Sequence, residues 1–298
     1  MQAVVIHGAP NWPDTWLMAI AARLFGKRVA FWSHGWLKSE RPIKRVIRNI
    51  YFGLANIVMV YGARSKRLAA ISGFPEERVV PIFNSLDTAA SETVYQNLAI
   101  EGAFSVRQRL GVPVDSVLLV CVARLTAACS FHLVIDALET IKITRGPVTF
   151  ALIGDGPERG NLERIAKEQG HDVRFLGEMY DEATIGSWIY AADLCVSPGK
   201  IGLSAMHALA YGTPAITHDD YDCQMPEFEA IEEGVSGSFF ERDSVESLSQ
   251  CICNWLDRSA DRQLVRDRCR SVIFDRYTPD RQLEMIDSAL SAIIRDQS

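Results

Sequence analysis

Three stretches of this chain bring a cation or bare backbone to places where an anion can be held. "VARLTAACS" ends an apolar run and sets Arg124 just beyond it. "LIGDGPERG" places a glycine turn, Gly154, Asp155 and Gly156, between a second apolar run and a helical pattern. "VSPGKIGLS" repeats the arrangement, with Gly199, Lys200, Gly202 and Leu203 leading into a helix start. Glycine lets a backbone approach an anion with no Cβ in between. A helix start offers unbonded N–H groups and the positive end of its dipole, which favours phosphate. Each stretch alone has a plainer reading: a tight turn for Gly154–Gly156, a solvated side chain for Arg124 or Lys200. Three in succession, each at the end of an apolar run, predict a pocket for a nucleotide diphosphate.

The elements that must position these residues alternate in type. The pattern predicts strands at 4–6, 28–32, 57–61 and 79–83. Helices are expected between them at 14–25 (Asp14 as N-cap), 42–54 and 65–72. "NSLDTAASETVYQ" is polar without a clear period and reads as a linker. Strands follow at 117–122, 148–153, 173–176, 194–196 and 215–217, with helices at 131–141, 161–169, 181–191 and 202–211, and the chain is helical from about Ser244 onward. Such alternation predicts α/β architecture, two doubly wound Rossmann-like domains with parallel sheets. The break near residue 88 divides the chain into 1–87 and 88–298, the second ending in the terminal helices. Ligands of open α/β sheets sit beyond the carboxyl ends of the strands, which is where the three stretches fall.

Composition narrows the classes. The 298 residues are 48% hydrophobic and 23% charged, ordinary for a soluble globular chain. No apolar run is long enough to cross a bilayer, and the first residues lack the basic and apolar regions of a secretory signal. Seven cysteines are scattered with no C-x-x-C pair, which predicts reduced thiols in a cytoplasmic protein and no structural metal. Charge is split: residues 1–90 hold 12 Lys/Arg against 5 Asp/Glu, whereas the remainder is strongly acidic. The first region is therefore expected to face something anionic. Its positives are confined to one short segment away from the pocket chemistry, which argues against nucleic acid.

Residues 116–240 resemble the C-terminal domain of glycosyltransferase family 4, retaining enzymes of the GT-B fold. The resemblance is carried by "VARLTAACSFHLVIDALE", "FALIGDGPERGNLE", "VRFLGEM", "AADLCVSPGKIGLSAMHALAYGTPAITHDD" and "MPEFEAIEEGVSGSFF". "VVIHGAP", "FWSHGWL" and "NIVMVYGARSKRLA" look like the latter half of that family's N-terminal domain. The resemblance implies transfer of a sugar from a UDP- or GDP-linked donor to an acceptor, with retention and without a metal or other cofactor. It assigns Arg124 to the donor diphosphate, Glu229 to the donor, and His34 to the neighbourhood of the donor sugar. His7 ends a strand in the same way.

Three departures stand out. Where the family has a lysine five residues after its arginine, this chain has Cys129. Where it has two glutamates seven residues apart in between, this chain has Gly199 and His207, in a form, S-P-G-x-x-G-L-x-A-x-H, that resembles a bacterial surface-polysaccharide branch. His207 is then expected either to donate to a ribose hydroxyl or phosphate, or to pack as an ordinary helix histidine against Leu203 or Tyr211. The region before the linker is about half the family's length, which points to an exposed sheet edge and to a truncated reading frame, a partner subunit covering that edge or an inactive relic. In the helix 42–54, Ile43, Val46, Ile47, Ile50, Tyr51 and Leu54 share one face. Lys44, Arg45, Arg48 and Phe52 share the other, which predicts contact with an anionic membrane surface. The combined expectation is a cytoplasmic enzyme, peripheral at the inner membrane face, that moves a sugar from a nucleotide donor to a glycan or lipid-linked acceptor. A catalytically inactive nucleotide- or partner-binding remnant and a nucleotide-sugar epimerase on the same scaffold are the competing readings.

Overall fold

A computed structural model describes residues 2–258 and 261–295. The chain forms two compact units: one of the residues through Ser85 together with those from Arg276 onward, the other of Leu86–Asp275.

The first unit is a parallel four-stranded sheet in the order β1 (Ala3–His7), β2 (Arg28–Ser33), β3 (Ile57–Val60), β4 (Val79–Pro81). Ala3 stands opposite Arg28, Ala30 opposite Ile57, and Val58 opposite Val79. The crossovers are α1 (Pro13–Leu24), α2 (Pro42–Gly53) and α3 (Ala63–Ile71). Consecutive right-handed crossovers put all three on one face. Strand alternation then sorts the core. Val29, Phe31, Val58 and Val60 pack with Ala19, Tyr51, Phe52 and Leu68 of those helices. Ala30, Ile57 and Met59 face the other way, onto Ala289 and Ile293 of the chain's last helix, α12 (Pro279–Arg295). The division expected near residue 87 assigned every terminal helix to the second domain, whereas α12 lies with the first unit. β1 is an edge strand with Val5 exposed.

Two local expectations change here. The N-cap of α1 is Trp12, and Pro13 takes the first helical position, so Asp14 sits in the first turn. The inward and outward faces of α2 are not those drawn from the sequence. Phe52 is fully buried, and Arg48 is turned back onto Glu40 at 2.7 Å, while Ile43, Val46, Ile47 and Ile50 point to solvent.

The second unit is a six-stranded parallel sheet ordered β10-β9-β8-β5-β6-β7. The strands are β5 (Val117–Val122), β6 (Val148–Ile153), β7 (Asp172–Gly177), β8 (Leu194–Val196), β9 (Ala215–His218) and β10 (Gly237–Phe240). Leu119 and Cys121 face α6 (His132–Arg145), α7 (Arg159–Gln169) and α10 (Val245–Arg258). Leu118 and Val120 face α4 (Thr88–Glu101), α5 (Ala103–Arg109), α8 (Glu182–Ala191) and α9 (Leu203–Ala210). The expected linker is thus the helix α4, capped by the Asp87 carboxylate on the Ala90 N–H. Its buried stripe is Ser91, Tyr95 and Leu98, too polar to read as an apolar period. α11 (Arg262–Arg276) completes the unit. From β5 the chain winds outward through β6 and β7, then returns to β8 on the other side of β5. The switch point is therefore between β5 and β8, and the loops after those strands are neighbours.

Candidate functional site

The loops leaving β5, β6 and β7 border an open cavity of about 740 Å3. Arg124 lines one side, Gly154, Asp155 and Gly156 the floor, and Glu178, Met179 and Tyr180 the far side. The volume lies within the range of small-molecule sites. Arg124 is exposed, and its guanidinium has no hydrogen-bond or ion-pair partner among the described residues. An unpaired cation on the wall of a cavity leaves its donor fork available to an anion.

The glycine turn is explained by packing. A Cβ on Gly154, whose φ is +133°, would lie 2.0 Å from the Ala123 carbonyl oxygen, and one on Gly156 2.3 Å from that of Leu125. Only glycine lets the β6 loop close against the β5 loop at this spacing. The amides themselves are not free. Gly154 N–H donates to the Gly177 carbonyl at 2.7 Å, and Gly156 N–H to the Asp155 carboxylate at 2.6 Å. That bond, with Arg159 at 2.9 Å, holds the Asp155 carboxyl below its ordinary value. The expected cradle of Gly154 and Gly156 amides is therefore filled by the protein's own acceptors, and these residues contribute shape.

The loop after β8 meets the loop after β5. A Cβ on Gly199 would come within 2.1 Å of the Ala128 oxygen and 2.7 Å of Cys129 Cα. Two of this loop's amides are also taken. Lys200 N–H points to the Ala128 carbonyl at 3.4 Å, and Ile201 N–H donates to Gln224 Oε1 at 2.9 Å. Buried Gln224 in turn donates to Thr217 Oγ1 and the His218 carbonyl, tying the loop to β9. Gly199, Gly202 and Leu203 keep N–H groups without an acceptor among the described residues, and the Lys200 side chain is exposed. These four residues lie outside the lining of the cavity.

His207, one turn into α9, is held by its neighbours. Its Nε2 lies 2.9 Å from Glu182 Oε1, which also accepts the Tyr211 hydroxyl at 2.6 Å. Partial burial pushes the Glu182 carboxyl up, but the bonds from His207 and Tyr211 outweigh it and set the group below its ordinary value. Packing against Tyr211 agrees with the plainer of the two readings of His207. Glu229 is half-buried in a 3-10 turn (Pro226–Ala230) packed on α9. Cys129 closes its own turn, its thiol donating to the Arg124 carbonyl at 3.2 Å. Three participants carried no signal in the sequence: Gln224, Glu182 and Tyr180. They stand outside any glycine motif, and only the fold brings them to the carboxyl ends of the strands.

In the first unit, His34 is exposed just past β2, its ring 4.9 Å from that of Tyr61. The turn beside it is pinned by Ser33 Oγ on the Gly8 carbonyl and by Trp36 N–H on Ser65 Oγ. His7 ends β1, its ring 6.5 Å from Trp12. Among the described residues no group of His, Cys, Asp or Glu is placed to hold a metal ion, and no helix is long and apolar enough to cross a membrane.

Residues 116–258 match the family described as Glycosyl transferases group 1. An uncharacterized glycosyltransferase of Methanocaldococcus jannaschii is 24% identical over 229 residues, 75% of this chain and 56% of its own. A GDP-mannose-dependent alpha-(1-6)-phosphatidylinositol dimannoside mannosyltransferase of Mycobacterium tuberculosis is 33% identical over 114 residues, 37% of this chain and 29% of its own. The chain thus spans little more than half the length of the first of these relatives and less of the second. Among solved structures, Anabaena HepE, crystallised with UDP, superposes with a TM-score of 0.73 at 19% identity, covering 95% of this chain and 77% of that one. The family match thus falls within the second unit, and the chain has an α/β fold of the GT-B type.

Proposed function

We propose that the second unit binds a nucleotide-diphosphate sugar, UDP- or GDP-linked, and that the protein transfers its sugar with retention to a glycan or lipid-linked acceptor. The observation that carries this reading is Arg124, a cation without a partner among the described residues on the wall of a cavity large enough for a nucleotide. A diphosphate there would supply the missing counter-charge. Tyr180, exposed on the far side, offers a ring for a base to stack on. The donor set is completed by the free amides of Gly199, Gly202 and Leu203, with Lys200 and Glu229. Charge building on the departing diphosphate would be stabilised by the guanidinium and the α9 dipole, the kind of electrostatic contribution that dominates many enzymes. His34 is the proposed catalytic residue of the first unit. His207, anchored by Glu182, would position a ribose or phosphate. Similarity to a GDP-mannose-dependent mannosyltransferase supports this reading.

The occupied amides of Gly154, Gly156, Lys200 and Ile201, and the neutral Cys129, favour one competitor: a nucleotide-binding protein that has lost transfer. Thermal unfolding with UDP, GDP and dTDP separates the two. A ligand at a hundred times its dissociation constant adds about 2.7 kcal/mol of stability. A shift that Arg124→Ala reduces or abolishes, together with sugar released from a UDP- or GDP-sugar, is the expected result. A shift without transfer selects the inactive protein. No shift with any of the three nucleotides overturns the proposal.

A further inference from the structure

The outer side of α2 is apolar where a globular helix is normally polar. Ile43, Val46, Ile47 and Ile50 recur at helical spacing and are 76%, 54%, 49% and 58% exposed. Lys44 borders this stripe and Arg45 lies on the opposite side of the helix, toward α3, with Lys38 and Arg41 just before the helix, and all four cations are exposed and without partners among the described residues. The nearby carboxylate, Glu40, is spoken for by Arg48 at 2.7 Å. Lys38, Glu40 and Arg45 also border a cleft of about 60 Å3, with Ile71 of α3 on its rim. Beside α2, and joined to it through Tyr51 packed on Trp16 and Thr15, α1 turns out Leu17, Leu24 and Phe25.

We infer that this outer face, α2 with α1 beside it, is a docking surface for a bilayer rich in anionic phospholipid. The stripe enters the headgroup region, and Lys44, with Lys38 and Arg41 before the helix, reaches the phosphates beside it. Charge selects this occupant over a second copy of the chain. A two-fold contact would set the same four cations against themselves. The surface differs from the one expected on sequence grounds, because Phe52 is inside and the isoleucines are outside. The inference deepens the lipid-linked part of the proposed function and does not need transfer to be true.

The test is co-sedimentation of the full chain with vesicles of phosphatidylcholine alone and of phosphatidylcholine mixed with phosphatidylglycerol, at low and high salt. Binding to the mixed vesicles only, weakened by salt, is expected. The double variant Ile43→Ser/Ile47→Ser should lower the partition at least about tenfold. Lys44→Gln should lower it about fivefold, and Arg45→Gln, on the far side of the helix, less. These side chains support no core contact, so unchanged melting of the variants keeps the comparison valid. Equal binding of wild type and variants, or no binding to either vesicle, overturns the inference. So does a lipid-free dimer in light scattering that the isoleucine variant converts to monomer. Nucleotide-dependent thermal shifts are indifferent to all of these outcomes, so failure here leaves the donor-site reading standing.

Discussion

At the amino ends of the second unit's strands, Arg107 donates to the carbonyls of Ala191 at 2.9 Å and Ser116 at 3.0 Å and pairs with Asp193 at 2.6 Å. Arg262 reaches the Ala191 and Ala192 carbonyls and the same Asp193, and burial lowers its pKa to about 10. Arg266 caps Tyr211 and Tyr190 through their carbonyls and lies 3.9 Å over the Tyr190 ring. At the carboxyl ends of the same sheet, Arg124 touches none of these things. A guanidinium taken out of water is tolerated only when its donors are answered. The amino-end arginines therefore act as crosslinks between the loops that feed β5, β8 and β9. Arg124, left in water at the edge of a cavity, adds nothing to the fold and has its donors in reserve for a ligand.

Paired substitutions should separate these roles. Arg107→Met leaves the Ser116 carbonyl short of this donor and Asp193 and the Ala191 carbonyl with Arg262 alone, and should cost about 1–3 kcal/mol in urea unfolding. Arg124→Met should stay within about 0.5 kcal/mol of wild type in the same experiment. Nucleotide binding should show the reverse order. Loss of a charge-assisted contact of about 1.5–3 kcal/mol weakens UDP or GDP about tenfold to a hundredfold in the Arg124 variant. The contrast breaks if the two variants unfold alike, or if Arg124→Met binds the nucleotide as wild type does.

The two ends also differ in how much of them could be read from the chain. The carboxyl end was legible where glycine marked it: Gly154–Gly156 and Gly199 sit where the strand pattern placed them. What the glycines do was not. Spacing shows that a Cβ is missing, but not whether the vacancy is filled by a ligand or, as here, by the Ala123, Leu125 and Ala128 carbonyls. The amino end was invisible. Arg107, Arg262 and Arg266 lie on helices distant in sequence from the loops they join, and long-range pairing leaves no local period. α4 was lost for a related reason, its inward stripe being partly polar. α2 was legible as an amphipathic helix, but its inward side was not, because Tyr51 and Phe52 outcompeted the isoleucines for the core.

Cys129 sharpens the comparison at the carboxyl end itself. It and Gly199 are two of the three positions where charge would be expected from the resemblance, and the fold puts them in contact, so the neutral pair is one local feature. Cys129→Lys would set an ammonium on the loop that also carries Arg124. The thiol points back at the Arg124 carbonyl, so a lysine stem must leave that turn, which limits the gain to about 0.5–1.5 kcal/mol of nucleotide affinity by calorimetry. Cys129→Ser, which keeps the turn's hydrogen bond, should leave affinity unchanged. Equal affinity in the lysine and serine variants would mean that the loop after β5 does not face the diphosphate.

Glu182 tests the intermediate case, a polar group at the carboxyl end that is answered by its own neighbours. Its carboxyl is held below the ordinary 4.5 because the bonds from His207 and Tyr211 exceed the cost of partial burial. A depressed carboxyl contributes stability that is complete above the unfolded value and is lost as pH falls through the folded one. The wild type should therefore lose stability on acidification below 4.5, while Glu182→Gln, which cannot titrate, should be less stable at neutral pH and lose less on the way down. Unfolding free energies of the two proteins measured across that range should converge toward acid. Parallel curves would show that Glu182 is no anchor for His207. The histidine would then be as unencumbered as Arg124, and it would move from the structural side of the comparison to the ligand-facing side.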